Sequence, residues 1–307
     1  MLPFASLTSS RQLTPDIISG LFVAIDNMAT IVAEQGTSTL LQDKVVALLF
    51  FEPSSRTMLS FQSAAQRLKA GTIFAQSAST TSFEKGESLE DLIQIVNGYA
   101  DIIVMRHSQP GSAEVAAQVS DAPFINAGDG GNEHPTQSII DSYTIHKHRG
   151  RLDNLNVVFG FDSLQSRSIH SLSRLLAQYE GNRFTFTGPQ ELWPSSELLS
   201  ELRAAGAQCD CVSEVDYRDN FDVVYVNRLQ EERFADTTLF EANRRKYRIT
   251  RDNIEGCDAL LLDPLPRIDE IATEVDALEN AVYFKQASYG VPVRMALLAL
   301  LLGKINL

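Results

Sequence analysis

The chain has 307 residues, of which 44% are hydrophobic and 21% charged, enough to bury two cores of ordinary domain size. Its formal net charge of −13 argues against nucleic acid or an anionic membrane surface as a partner, but leaves small anions open to a local arginine cluster. The three cysteines, Cys209, Cys211 and Cys257, form no C-x-x-C pair and have no histidine at zinc-ligand spacing, so structural thiols in a reducing compartment are expected, and no metal.

No basic segment followed by an apolar stretch opens the chain, so a cytoplasmic rather than secreted protein is expected. Short apolar runs then alternate with helical patterns, the mark of a parallel α/β architecture. Strands are expected at 45–51, 72–75, 101–105, 124–127, 156–161, 184–187, 222–226 and 259–262. Helices are expected at 60–69, 89–99, 137–146, 169–178 and 197–205, with C-terminal caps at Gly71, Gly181 and Gly206. The apolar run 295–302 is too short for a membrane span and reads as a buried C-terminal helix. The polar stretch 146–154 separates two series of four strands. The fold expected is therefore two similar-sized α/β domains, each a parallel sheet flanked by helices. Ligands of such sheets bind at the carboxyl ends of the strands, where the polar clusters lie.

Five clusters stand there. Pro53-Ser54-Ser55-Arg56-Thr57 follows the run VVALLFFE and opens a helix. Hydroxyls, N–H groups and the positive helix end make an anion site, and Arg56 adds a two-pronged donor. It lacks the G-x-x-x-x-G-K-[ST] pattern of nucleotide hydrolysis. Arg106 ends the third strand. Gly128-Asp129-Gly130-Gly131-Asn132-Glu133-His134-Pro135-Thr136-Gln137 combines a tight turn with a helix start. His134 and Gln137 lie three apart, so on a helix they converge on one point, as suits polarising a carbonyl and fixing its NH2 group. In the second half, Arg167 opens a helix, and Arg228-Leu229-Gln230 closes a strand, an arrangement suited to a dicarboxylate. Asp263-Pro264-Leu265-Pro266-Arg267 is a proline-stiffened loop whose carbonyls can act as fixed acceptors. Taken singly, each cluster also reads as a helix cap, a solvated strand-end arginine or a plain loop.

Together, the segments FFEPSSRTMLSFQSAAQRL, EKGESLEDLI, MRHSQPGSA, NAGDGGNEHPTQSIIDSYTI, SRSIHSL, NRLQEER and DPLPRIDEI resemble the transcarbamoylase family, most closely its aspartate-using branch. The resemblance runs from about Leu13 to the C-terminus. It implies a carbamoyl phosphate-binding domain at 1–134 plus a C-terminal helix at 291–307, an aspartate-binding domain at 150–286, and interdomain helices joining them. It implies that Ser54, Ser55, Arg56, Thr57 and Arg106 bind phosphate, and that His134 bonds the carbamoyl oxygen with Arg56 and Thr57. Gln137 and the carbonyls around Leu265 would hold the NH2 group. Arg167, Arg228 and Gln230 would grip the carboxylates of L-aspartate. Thr81 and Lys85 match a loop that reaches the adjacent subunit's site in the family, implying a homotrimer with shared active sites. Arg56, Thr57, Lys85 and His134 would be the catalytic set, with no cofactor. A regulatory chain or a dihydroorotase is a possible further partner.

Asp263 departs from the family pattern, standing where histidine is usual; a carboxylate there needs a partner, for which Arg267 and Arg56 are the candidates. Ser55 replaces threonine, Thr81 serine, Met58 arginine and Phe161 glycine; the last change bears on domain closure. The competing acceptor is ornithine, but members that take it carry an H-C-L-P loop, whereas D-P-L-P-R and Arg228-x-Gln230 point to a carboxylate. A chain kept for binding or assembly is the non-enzymatic alternative, with Asp263 and Met58 as its marks.

Overall fold

The computed structural model describes residues 2–76, 86–229 and 237–307, without the side chains of 237–239 and 242. It divides into two compact units, Met1–Ile140 with Tyr289–Leu307, and Asp141–Ser288. The division falls inside a helix, ahead of the polar stretch 146–154.

Unit 1 carries a five-stranded, all-parallel sheet, in the spatial order β1 (Ser6–Leu7), β5 (Phe124–Asp129), β4 (Ile102–His107), β2 (Val45–Phe50), β3 (Gly71–Gln76). Unit 2 carries another, in the order β10 (Leu260–Leu262), β9 (Val223–Val226), β6 (Asn156–Gly160), β7 (Arg183–Thr187), β8 (Gln208–Val212). Central strands such as β2 and β9 are buried on both faces, which is why they read as unbroken apolar runs.

The sequence shows eight of these ten strands. β1 is two residues long and carries no period. β8, QCDCV, is an edge strand with Gln208 and Asp210 exposed, so its apolar content is thin.

In unit 1, α3 (Leu89–Asn97) and α4 (Ser112–Val119) cover one face of the sheet, with Ile93, Val96, Ala113 and Ala116 against Ala47, Leu49, Ile103 and Phe124. α11 (Gly290–Leu301) packs against both α1 (Pro15–Thr30) and α2 (Ser55–Arg67). The α1 region, Pro15–Gln35, is long and apolar enough to cross a membrane by length and composition. Its stripe Ile18, Leu21, Phe22, Ile25 and Met28 is buried in unit 1, with α11 as a neighbour, so the fold already covers its apolar face. α11 is buried along almost its whole length, in line with the apolar run 295–302.

Unit 2 contains α6 (Arg167–Leu176), α7 (Ser196–Ala204), α8 (Thr237–Lys246), α9 (Arg251–Ile254) and α10 (Tyr283–Ser288), together with most of α5 (Pro135–Arg149). Its core gathers Val158, Phe161, Val226, Tyr217, Tyr247, Ile249, Leu261 and Val275.

The cap positions need one correction. Gly206 does terminate α7 in the left-handed region: its N–H bonds to Arg203 O at 3.0 Å, and Ala207 N–H to Leu202 O at 3.1 Å. Gly181 also has positive φ. Gly71, however, is the first residue of β3, and the left-handed residue after α2 is Lys69, with φ 63°.

Gly188, after β7, adopts φ +147°, and a Cβ there would lie 2.2 Å from the Phe161 carbonyl oxygen. Gly188→Ala is expected to destabilise unit 2 by about 1–3 kcal/mol, through strain alone. The check is a lower urea midpoint with an unchanged slope.

Candidate active site

Both sheets reverse their direction of winding at one place. In unit 1, β3 is laid on one side of β2 and β4 on the other. In unit 2, β7 and β8 run outward from β6, and β9 returns to its other side. Such switch points leave a crevice at the carboxyl ends of the two central strands, where ligands of open α/β sheets bind. The sequence-derived clusters fall at both.

At the β2/β4 point, Phe50 is in register with Arg106. α2 begins at Ser55, five residues before the start read from sequence, so Ser55, Arg56 and Thr57 form its first turn. Ser54 is the N-cap residue but makes no side-chain cap, and no acidic residue occupies the first turn, so hydroxyls and helix N–H groups face an electropositive end. Thr57 is buried, whereas Ser55 and Arg56 are exposed. Arg106 is 9% exposed and pairs with Glu52 at 3.3 Å. Met58, where an arginine is usual, takes its thioether to the Gln76 amide.

The glycine-rich turn after β5 is rigid by construction. Buried Asp129 accepts the Gly111 N–H at 2.8 Å, the Asn126 amide at 2.9 Å and the Asn132 amide at 3.0 Å. Gly130 has φ +53°, and a Cβ would sit 2.6 Å from Pro110. Glu133 accepts from the Ser9 hydroxyl at 2.9 Å and the Ser10 hydroxyl at 3.0 Å, tying the turn to the N-terminal segment. His134 then stands immediately before α5, its carbonyl accepting the Gln137 N–H at 2.9 Å, with its buried ring 3.4 Å from the Thr136 hydroxyl. His107 is depressed below the usual imidazole range by burial, opposed by Glu52 and Asp129.

Arg294 of α11 is a residue that sequence reading misses. Its guanidinium lies over the Phe61 ring at 4.9 Å and is 4% exposed. Burial first, and then Arg106, lower it to about 9, so it adds positive potential behind Arg106 at neutral pH. Its only signal in the sequence is a lone charge just before an apolar run.

At the β6/β9 point, Gly160 is in register with Val226. Asn227, also unremarked in the sequence, bolts the two strand ends together. Its Oδ1 accepts the Phe161 N–H at 2.7 Å and the Asp162 N–H at 3.0 Å, and its Nδ2 donates to the Asp162 carbonyl at 2.9 Å. Arg167, first residue of α6 after the Ser166 cap, and Arg228, directly after Asn227, therefore rise from neighbouring strand ends. Phe161, where the family has glycine, is 1% exposed in the unit 2 core, 5.7 Å from the Tyr247 ring.

The loop after β10 places Leu265 at φ 60°, with its N–H bonded to the Asp263 carboxylate. Arg267, one of the two expected partners of Asp263, pairs with Asp276 and lies 5.5 Å from the Tyr283 and Phe284 rings. Asp263 is buried, and its backbone N–H donates to Gln286 Oε1 at 3.1 Å. Gln230, Thr81 and Lys85 lie outside the described residues. Among the described residues, no group of three or more His, Cys, Asp or Glu side chains could hold a metal ion. Burial raises all three cysteine thiols, Cys209 to about 11.

Comparison with known proteins matches both halves. Residues 5–147 match the carbamoyl-phosphate-binding domain of aspartate/ornithine carbamoyltransferases, and residues 153–301 match their Asp/Orn-binding domain. The chain is 40% identical over 307 residues to the aspartate carbamoyltransferase catalytic subunit of Thermoplasma acidophilum, covering 99% of this chain and 100% of that one. It is 44% identical over 260 residues to that of Methanocaldococcus jannaschii, covering 84% and 85%. The structure of the M. jannaschii catalytic subunit superposes with a TM-score of 0.92 at 39% identity, covering 98% of each chain. The Trypanosoma cruzi aspartate transcarbamoylase in complex with carbamoyl phosphate and aspartate gives 0.88 at 32% identity, covering 97% of this chain and 98% of that one.

Proposed function

The chain belongs to the aspartate/ornithine carbamoyltransferase family, and from that premise we infer how its residues divide the reaction. It is an aspartate carbamoyltransferase, moving the carbamoyl group of carbamoyl phosphate to the α-amine of L-aspartate and releasing phosphate. The observation that carries the division is that each sheet presents arginines at its own switch point.

Unit 1 takes carbamoyl phosphate. The first turn of α2 and the forks of Arg56 and Arg106 receive the phosphate, backed by buried Arg294. His134, Arg56 and Thr57 donate to the carbamoyl oxygen, and Gln137 and the Leu265 carbonyl hold the NH2 group. Unit 2 takes aspartate: Arg167, Arg228 and Gln230 bind its two carboxylates. The uncharged amine attacks the carbonyl carbon, the C–N bond forms, and an oxyanion develops against donors already in place. The C–O bond to phosphate then breaks, the electron pair leaves with phosphate, and the amine's proton can pass to it. Orientation and preset electrostatics supply the acceleration, with no cofactor and no covalent intermediate. Lys85 and Thr81 come from a neighbouring subunit, so the working unit is a homotrimer. The relatives' designation as catalytic subunits supports a regulatory partner chain.

Purified protein is expected to form carbamoyl aspartate and no citrulline from ornithine. Arg228→Gln should raise KM for aspartate by about 10–100-fold, the worth of a charge-assisted bond of ~1.5–3 kcal/mol. Citrulline production, or an unchanged KM, would remove Arg228 from acceptor recognition. Sedimentation should give the mass of three chains; a fully active monomer would end the shared-site reading.

A further inference from the structure

Three elements of unit 2 meet on one buried carboxylate. Asp141 of α5 accepts the Tyr225 hydroxyl of β9 at 2.9 Å and the Gln286 amide of α10 at 2.6 Å, and all three side chains are buried. Gln286 passes the restraint on, its Oε1 accepting the Asp263 N–H at 3.1 Å. A backbone N–H can only donate, so the amide oxygen faces Asp263 and the NH2 group is left for Asp141. The Asp263 carboxylate then accepts the Leu265 N–H, two residues along the loop. Leu265 needs such a hold, because its φ of 60° lies in the left-handed region, which leucine adopts only where its surroundings impose it. The far side of the loop is fixed separately: Glu270 accepts the N–H groups of Ile268 and Asp269, each at 3.0 Å, and Arg267 pairs with Asp276. Leu265 is half-buried and Pro266 exposed, so the loop is locked at its base and accessible at its tip.

We propose that Asp141 and Gln286 are positioning residues for the carbamoyl group: through Asp263 they hold the Leu265 carbonyl where it accepts from the carbamoyl NH2 group, and so set the preference for carbamoyl phosphate over an acyl phosphate that lacks the NH2. The inference rests on the assignment of the Leu265 carbonyl to that group.

A carbonyl already in place loses little freedom when the ligand arrives, so the NH2 bond contributes nearly in full. A carbonyl on a loop that must first be ordered gives up part of that bond to lost entropy. A methyl group in the NH2 position donates nothing, and its binding does not register where the carbonyl stands. Asp263 is the link between the buried carboxylate and the loop. Standing where the family usually has histidine, it turns its carboxylate back on its own loop, as aspartates in turns do two residues on.

The test compares carbamoyl phosphate with acetyl phosphate, whose methyl group stands where the NH2 does. The KM for carbamoyl phosphate and the inhibition constant of acetyl phosphate against it are both read from carbamoyl aspartate formation by the full chain. Their ratio is the readout, since a general loss of packing moves both alike. In the wild type, acetyl phosphate should be weaker by about tenfold or more, the worth of the bonds its methyl group cannot make. Gln286→Met removes both amide bonds at similar volume, and Asp263→Ala removes the last link to Leu265. Each should lower the ratio by about three- to tenfold, the worth of one neutral hydrogen bond, chiefly through the carbamoyl phosphate KM. Asp263→Asn keeps an oxygen for the Leu265 N–H and should stay within about twofold of the wild type, since the bond itself survives. A wild-type ratio in folded Gln286→Met and Asp263→Ala, or an Asp263→Asn ratio as low as that of the alanine variant, would overturn the proposal and leave the NH2 assignment standing. A wild type with no preference for carbamoyl phosphate would overturn both.

Discussion

Arg56→Ala is expected to lower carbamoyl aspartate formation by about 10³ or more, with the thermal midpoint unchanged. Loss of one donor to a developing oxyanion costs ~10²–10³ in kcat, and Arg56 also serves the phosphate, so ground-state binding of carbamoyl phosphate should weaken too. Stability should hold because Arg56 is exposed in the first turn of α2, and its side chain fills no core. Arg56→Lys makes the experiment specific. It restores the charge but not the planar fork, so it should recover only a minor part of the rate. Activity within tenfold of wild type in the alanine variant would mean that phosphate binds elsewhere. Recovery to the wild-type rate in the lysine variant would mean that charge alone is needed there.

Phe161→Ala is expected to cost about 3–5 kcal/mol of unit 2 stability, the usual range for removing a buried aromatic ring. Phe161 is 1% exposed and packs in the cluster that includes Tyr217, Val226, Tyr247 and Ile249. Its N–H is held by Asn227 at 2.7 Å, so the backbone should stay in place and leave a cavity rather than collapse. A guanidinium unfolding curve should show the transition of unit 2 moving to lower denaturant while that of unit 1 stays. If instead the midpoint were unchanged and kcat fell, the ring would belong to the reaction cycle and not to the core. A glycine at this position, as the family usually has, should be at least as destabilising here, because the neighbours that enclose the ring are still present.

Much of this protein is legible in its sequence. Short unbroken apolar runs such as VVALLF read as strands buried on both faces, and their alternation with helical periods points to a parallel α/β class. The anion cluster at Ser54–Thr57 and the turn before His134 are legible for the same reason: they are local, and a helix start needs only its own residues to be recognised. Elements with little local signal are not. Two-residue β1 has no period, and the edge strand β8 buries only one of its five residues.

Tertiary structure decided what depends on strands far apart in sequence lying side by side. Only the orders β1-β5-β4-β2-β3 and β10-β9-β6-β7-β8 place the switch points beside Arg56 and Arg106 in one unit, and Arg167 and Arg228 in the other. The same holds for Arg294 near Arg106, for Asn227 clamping two strand ends, and for Arg267 pairing with Asp276. Residue type and spacing state what a side chain can do. Burial and neighbours, which are set by packing across the sheet, decide which partner it meets and which charge it carries.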